Sequence, residues 1–186
     1  MRRSPTLLLA TDIFGHTPEM QAFARQISGA VRIVSPYGHE RPRFASEMEA
    51  YGAFQAAGGV EAYARALAPL LAEKPWNLAV GLSAGASALW VALAQADTPP
   101  RRAVLYYGSR IRQQAHLRPA GDVRLIFAQR EASFDPAPLA AELLQAGYEA
   151  SVLPGTAHGF LNPLSPGFDE GVRDAEVLRL RGLLAD

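Results

Sequence analysis

The sequence predicts an α/β domain built on a mostly parallel sheet. Short apolar runs recur along the chain, and segments with helical spacing separate them. Most of these runs lack alternation with polar residues, which is typical of strands that helices cover on both faces. We therefore expect about six mostly parallel strands with helices on both sides. The runs are Thr6–Thr11, Val31–Val34, Asn77–Leu82, Arg102–Tyr107, Val123–Ala128 and Ala150–Leu153.

The segments between these runs carry helix signals. Thr17–Pro18 and Asp135–Pro136 are typical of a helix N-cap followed by proline at the first helical position. Residues 59–74 place apolar side chains on one face, although Pro69 is expected to kink or divide this helix. A last helix is expected from about Phe168 to Leu184.

The composition excludes several classes of function. With 186 residues, 49% hydrophobic and 19% charged, the chain is expected to form a single domain over residues 1–186. Eighteen basic residues balance eighteen acidic ones, so neither nucleic acid nor a membrane surface is an expected partner. The chain has no cysteine, which rules out a thiol nucleophile and thiolate zinc sites. No metal or organic cofactor is expected, because no H-E-x-x-H, P-loop or G-x-G-x-x-G motif is present.

The N-terminal segment decides the predicted localisation. Arg2 and Arg3 precede a run of leucines, as in a signal peptide, but the apolar run ends at Asp12. This run is shorter than the roughly 7–15 residues of a signal-peptide core. No segment reaches the ~18 consecutive apolar residues of a transmembrane helix. We therefore expect a cytoplasmic protein.

The segment Gly81-Leu-Ser83-Ala-Gly85 lies where a predicted strand becomes a predicted helix. This is the G-x-S-x-G pattern of a nucleophile elbow, in which glycines on either side permit a sharp turn that exposes the serine hydroxyl. The backbone N–H of Ala84 would then begin a helix and point at a developing oxyanion. Ser83 is a candidate nucleophile; the alternative is an ordinary serine in a tight turn.

His158 is the candidate base. It follows the last predicted strand, in the glycine-bounded segment Gly155-Thr-Ala-His-Gly159. An isolated histidine is usually a surface residue, but this one comes late in the chain, in the order Ser, Asp or Glu, His of α/β-hydrolases.

Two carboxylates could orient His158. Glu131 and Asp135 both lie in the loop after the fifth strand. Asp135 is also a typical N-cap for the helix that begins at Pro136. We therefore favour Glu131, which is closer to the strand end, and keep Asp135 as the alternative acid.

The turn after the first strand supplies the remaining group. Asp12-Ile-Phe-Gly15 leads from this strand toward a helix. Such a turn can present the Ile13 backbone N–H as the second donor of an oxyanion hole.

Together these motifs resemble the dienelactone hydrolase family of α/β-hydrolases, from residue 6 to about residue 165. The similar segments are DIFG at 12–15, GLSAG at 81–85, YYG at 106–108, FAQRE at 127–131 and GTAHGF at 155–160. The resemblance implies an α/β-hydrolase fold with strand order 2-1-3-4-5-6 and places Glu131 on the family's catalytic aspartate. Residues 108–122 are too few for a cap domain, so a minimal, lidless core with an open site is expected.

The resemblance implies a serine variant of that family, because Ser83 stands where the family has a cysteine. It also implies that arginines hold the dienelactone carboxylate in the family; no arginine closely follows His158, so dienelactone itself is not the expected substrate. The expected function is a serine esterase that cleaves a small carboxylic ester or lactone. The alternatives are a thioesterase, another acyl hydrolase, or a catalytically inactive α/β-hydrolase fold used for binding.

The motifs also suggest residues that contact substrate. These are Asp12, Phe14, Tyr107 and Phe160. Asp12 could instead hydrogen-bond its own turn. Several arginines could attract a substrate carboxylate, or could simply be solvated: Arg41, Arg43, Arg110, Arg112 and Arg118.

Overall fold

The computed structural model describes residues 6–185. Residue 186 and residues 1–5, which include Arg2 and Arg3, lie outside the described part. The strands are β1 (Leu7–Ala10), β2 (Val31–Val34), β3 (Leu78–Leu82), β4 (Arg102–Tyr106), β5 (Asp122–Arg130) and β6 (Glu149–Ala157). The helices are α1 (Pro18–Ile27), α2 (Glu47–Ala56), α3 (Gly59–Glu73), α4 (Ala84–Leu93), α5 (Pro136–Gln145) and α6 (Glu170–Ala185), with a short 3₁₀ helix at Ser109–Gln113.

The six strands form one parallel sheet in the order β2-β1-β3-β4-β5-β6, which confirms the expected order. Apolar side chains of α1 and α6 pack on one face of this sheet, and those of α3, α4 and α5 pack on the other. The central strands are therefore buried on both faces. This explains why their sequences are continuous apolar runs rather than alternating ones.

Helix α2 was not predicted from the sequence. Only Ala50 and Phe54 of this helix are buried, so its apolar residues show no clear helical period. A start signal is nevertheless present, because Ser46 and Glu49 have the spacing of a capping box. The Ser46 hydroxyl accepts a hydrogen bond from the Glu49 N–H, and the Glu49 carboxylate accepts one from the Ala45 N–H.

Other elements differ from the expected ones in extent. Pro69 lies inside α3 without dividing it. The last helix begins at Glu170 rather than near Phe168, and the Asp169 carboxylate accepts a hydrogen bond from the Val172 N–H in its first turn. Strands β5 and β6 are each nine residues long and run further than expected toward the candidate acid and the candidate base.

The ends of β5 and β6 are held in a specific register. The pairing shifts between Ala128 and Arg130, so that Arg130 lies opposite Ala157. The His158 N–H donates to the Arg130 carbonyl at 3.0 Å. Because Glu131 and His158 follow these paired residues directly, the two side chains leave neighbouring strands at the same edge of the sheet.

Candidate active site

Ser83 joins β3 to α4 in a strained conformation, with φ 52° and ψ −108°. The glycines on either side make this turn possible. A Cβ atom on Gly85 would lie 2.3 Å from the Ala10 carbonyl oxygen, and one on Gly81 would lie 2.6 Å from the Ala86 Cα. Glycine is thus required at both positions for helix α4 to pack against the strands, which is the arrangement of a nucleophile elbow.

Three side chains form a continuous hydrogen-bonded chain above the sheet. The Ser83 hydroxyl oxygen lies 2.8 Å from His158 Nε2. His158 Nδ1 lies 2.8 Å and 3.0 Å from the two carboxylate oxygens of Glu131. An ionised carboxylate can only accept, so Nδ1 carries the hydrogen and Nε2 is left to accept from the serine hydroxyl.

The surroundings of this chain hold the histidine in place. The Glu131 side chain is only 3% exposed, whereas that of His158 is 29% exposed. The Tyr107 ring contacts the imidazole edge to face, with 5.1 Å between ring centroids. The Glu131 side chain is therefore shielded from water, while that of His158 is partly open to solvent.

The structure does not bring Asp135 to His158. Its carboxylate accepts a hydrogen bond from the Ala137 N–H at 3.0 Å, as the N-cap of α5. Glu131 is thus the carboxylate that contacts the imidazole, and Asp135 satisfies a helix terminus.

The two expected oxyanion donors face the same cavity as Ser83. Within residues 6–185, neither the Ile13 N–H nor the Ala84 N–H donates a hydrogen bond. The turn that carries Ile13 is fixed on both sides: the Asp12 carboxylate accepts from the Phe14 N–H at 3.0 Å, and the Tyr37 hydroxyl donates to the Ile13 carbonyl at 2.6 Å. Both N–H groups are therefore positioned and available.

The cavity over Ser83 has a volume of about 580 Å³, within the usual range for small-molecule sites. The sequence predicted an open site, but helix α2 supplies much of one wall of the cavity, and this wall is apolar. Met48 and Tyr51 at its rim are 83% and 42% exposed. The apolar wall consists of Ile13, Met48, Tyr51 and Phe54, and the charged lining residues are Glu47, Arg110, Arg130 and Glu131.

The four residues suggested as substrate contacts do not line this cavity. Asp12 is 4% exposed and is enclosed by the turn after β1. Phe14 lines a separate hollow beside Arg43. Tyr107 and Phe160 are fully buried and pack against each other, with ring centroids 4.8 Å apart. Of these four residues, Asp12 holds the turn after β1 and Tyr107 packs against the His158 ring.

Asp12 has an unusual electrostatic environment. Burial raises the pKa of its carboxyl to about 6, although hydrogen bonds from Asn162 and Phe14 oppose that rise. The Asn162 side-chain amide donates to the Asp12 carboxylate at 2.6 Å. No local pattern of residues predicts this contact, because the two residues are 150 positions apart.

The predicted arginines occupy different places. Arg110 lines the cavity, and its guanidinium donates to the hydroxyl of Tyr51 and to the side chain of Gln113. Arg112 and Arg118 donate to nearby backbone carbonyls. Arg130 also lines the cavity, although it was not among the predicted site residues.

The remaining two arginines lie away from Ser83. Arg43 lines the separate hollow that also contains Phe14. The charge of Arg41 contributes, after burial, to a lowered pKa of His16. The described residues contain no group of three His, Asp or Glu side chains that could hold a metal ion.

Comparison with known proteins gives the fold but not the family. No family model matches the chain. The uncharacterised protein YczH of Bacillus subtilis is 35% identical over 99 residues, which cover 50% of this chain and 46% of that protein. The match thus spans about half the length of this curated relative.

Several solved structures resemble the chain along nearly its whole length. A candidate dienelactone hydrolase from Klebsiella pneumoniae has a TM-score of 0.75 at 15% identity, covering 98% of this chain and 87% of that one. A candidate hydrolase of the α/β superfamily from Xanthomonas campestris has a TM-score of 0.64 at 14% identity, covering 100% and 99%. Esterase PE8 has a TM-score of 0.59 at 15% identity, covering 97% and 93%.

These similarities, together with the parallel sheet order, define the chain as an α/β-hydrolase fold. In residues 6–185 no helix has the length and apolar character needed to cross a membrane.

Proposed function

We propose that this protein is a serine hydrolase that cleaves small carboxylic esters or lactones through an acyl-enzyme, as a dienelactone hydrolase-like esterase would. The observation that carries the proposal is the chain of contacts from Ser83 through His158 to Glu131, which faces a cavity lined by two backbone donors. Many proteins with this fold perform other reactions, so the argument depends on the site and not on the fold.

The first half of the reaction follows from the hydrogen-bond directions. His158 Nε2 takes the hydroxyl proton as Ser83 Oγ attacks the substrate carbonyl carbon, and Glu131 stabilises the imidazolium that forms. The carbonyl oxygen becomes an oxyanion held by the N–H groups of Ile13 and Ala84. When the tetrahedral intermediate collapses, His158 returns the proton to the leaving alkoxide, and the acyl group stays on Ser83.

The second half uses the same groups. His158 takes a proton from water, the resulting hydroxide attacks the acyl carbon, and the Ser83 alkoxide leaves and is protonated by the imidazolium. The products are a carboxylic acid and free enzyme. In a lactone the alcohol and the acid remain one molecule, so both products leave together.

The test is hydrolysis of p-nitrophenyl acetate and butyrate by the purified wild type and three variants. Ser83→Ala should lower kcat/KM by at least about 10³-fold, because it removes the nucleophile. Glu131→Gln should lower kcat by about 10²–10⁴-fold, because a neutral amide no longer stabilises the imidazolium. Asp135→Asn is the matched control and should change kcat/KM by less than about twofold, because Asn is an equally good N-cap.

A fluorophosphonate probe gives a readout that does not depend on the choice of ester. The wild type should become labelled at Ser83, and Ser83→Ala should not. A wild type that neither hydrolyses these esters nor reacts with the probe would contradict the proposal and favour an inactive binding protein. Comparison of oxygen esters, lactones and thioesters then separates an esterase from a thioesterase.

A further inference from the structure

Asp12 and Asn162 form a buried contact that the reaction steps above do not use. The Asn162 amide nitrogen lies 2.6 Å from Asp12 Oδ2, and Asn162 is fully buried. Asp12 follows β1, and Asn162 lies in the segment after β6, at the same edge of the sheet as Ser83 and His158. A buried carboxylate without a cationic partner is expensive, so its presence beside the site calls for a physical account.

One oxygen of this carboxylate fixes the turn after β1. Asp12 Oδ1 accepts a hydrogen bond from the Phe14 N–H at 3.0 Å. This contact spans Ile13, which lines the cavity. The orientation of the candidate oxyanion donor therefore depends on the Asp12 side chain.

The other oxygen reaches the segment that follows His158. The Asn162 backbone N–H donates to the Gly159 carbonyl at 2.9 Å, and its side-chain oxygen accepts from the Leu164 N–H at 3.0 Å. The side-chain nitrogen of Asn162 thus donates to Asp12 while its side-chain oxygen accepts from a backbone N–H, which fixes the orientation of the amide. Asn162 thus couples the histidine loop to the carboxylate.

The contact favours the carboxylate in its ionised form. Each oxygen accepts a hydrogen bond from an N–H donor, and these hydrogen bonds are stronger to an ionised carboxylate than to a protonated one. The titratable groups that act on Asp12 come from several elements: His158 after β6, Glu47 on α2, Tyr37 after β2, Tyr63 on α3 and Tyr107 after β4. Among them only protonated His158 carries positive charge and favours ionised Asp12.

We propose that Asp12 and Asn162 are a positioning pair that, with Asp12 ionised, holds the Ile13 oxyanion donor and the His158 loop in register for the reaction. This inference rests on the proposed serine-hydrolase function. It assigns to Asp12 a role through other residues, since its side chain is enclosed and does not line the cavity. The pair joins the turn after β1 to the loop after β6.

The pair has a kinetic signature that a purely structural contact lacks. Activity requires two deprotonated groups, neutral His158 and ionised Asp12. The acid limb of log kcat/KM should therefore approach a slope of about two in the wild type, measured with one ester from about pH 4.5 to about pH 8. In Asp12→Asn the slope should fall to about one, and kcat should drop by about 10- to 100-fold with little change in KM.

Asn162→Ala tests the pair without changing the carboxylate. Loss of the amide donor raises the pKa of Asp12 further, so the acid limb should move to higher pH. The slope of this limb should stay at about two. The kcat of the double variant should lie within about twofold of that of Asp12→Asn, because both changes break the same contact. Circular dichroism checks that each variant is folded, and Asn162→Ala carries the test if Asp12→Asn does not fold.

Asp169→Asn is the matched control. The Asp169 carboxylate also accepts a backbone N–H, that of Val172, but is exposed at the start of α6. This variant should keep the wild-type kcat and slope. An active wild type whose acid limb has a slope of about one, or an Asp12→Asn variant with wild-type kcat, would overturn the pair. A wild type without ester hydrolysis or probe labelling would instead overturn the proposed function.

Discussion

At the scale of single residues, Ser83 and Asp12 both cost the folded state free energy. Ser83 has a positive φ, which for a non-glycine residue costs of order 1–3 kcal/mol. Asp12 is a carboxylate in a buried position, and burial raises its pKa to about 6. Residues in a strained conformation or an unfavourable environment are concentrated at functional sites. Ser83 and Asp12 follow the neighbouring strands β3 and β1, beside the cavity.

The pH dependence of stability should report Asp12 directly. Its pKa is about 6 in the folded state against an ordinary value of 3.8, so the folded state binds the proton more tightly between these pH values. By linkage, the contribution of Asp12 to the free energy of unfolding falls as pH rises through this window, by roughly 2–3 kcal/mol in total.

Urea unfolding of the wild type and Asp12→Asn, from about pH 4 to about pH 7, measures this contribution. The stability of the wild type relative to Asp12→Asn should decrease as pH rises. A difference that stays constant across the range would show that Asp12 titrates normally. Other carboxylates contribute equally to both proteins and cancel in the comparison.

At the scale of elements, α2 forms much of the apolar side of the cavity. The helix is held by two buried side chains and places Met48 and Tyr51 at the rim of the cavity. The Arg110 guanidinium donates a hydrogen bond to the hydroxyl of Tyr51. The apolar side of the site therefore belongs to an element distinct from those that carry Ser83 and His158, so specificity and chemistry can vary separately.

Met48→Ala should change the preference for acyl chain length. The variant removes apolar surface from the rim, so kcat/KM for p-nitrophenyl octanoate should fall by about three- to tenfold while that for the acetate stays unchanged. Leu178→Ala is the control, because Leu178 is 67% exposed on α6 and does not line the cavity. Equal losses for acetate and octanoate would contradict a role of α2 in selecting the acyl group.

At the scale of the whole molecule, the sheet order brings distant parts of the chain to one edge. Strand β1 lies beside β3, so the turn with Ile13 meets the elbow with Ser83. Strands β5 and β6 lie side by side, so Glu131 meets His158. All strands are parallel, and therefore their carboxyl ends, and the residues that follow them, lie on the same side of the sheet.

Two Gly→Ala variants separate tight packing from helix propensity. Gly85→Ala places a Cβ within 2.5 Å of the carbonyl oxygens of Ala10 and Thr11, so it should lower the melting temperature strongly and abolish activity. Gly182→Ala lies in α6 with no atom within 4 Å of the added Cβ, so it should stabilise the protein by about 0.5–1 kcal/mol. Thermal unfolding measures both, and a Gly85→Ala variant with wild-type stability would contradict the close approach of β1 and α4.

Several parts of this protein could be predicted because their signals are local. The strands β1, β3 and β4 are apolar runs whose covering helices bury both faces, and the caps at Thr17 and Asp135 follow from residue types at adjacent positions. The elbow at Ser83 is likewise a short pattern with one backbone requirement. Helix α2 was not predicted, because only two of its residues are buried and its apolar residues therefore show almost no helical period.

Residue patterns were enough to predict the alternation of strands and helices and the candidates Ser83 and His158, because dihedral preferences and burial patterns act over a few residues. Which of Glu131 and Asp135 contacts the imidazole depends on the register of β5 against β6, and this register exists only in the assembled sheet. The same assembly brings Asp12 into contact with Asn162, 150 residues away in the chain. Contacts of this kind follow from how the sheet assembles, and no local pattern of residues records them.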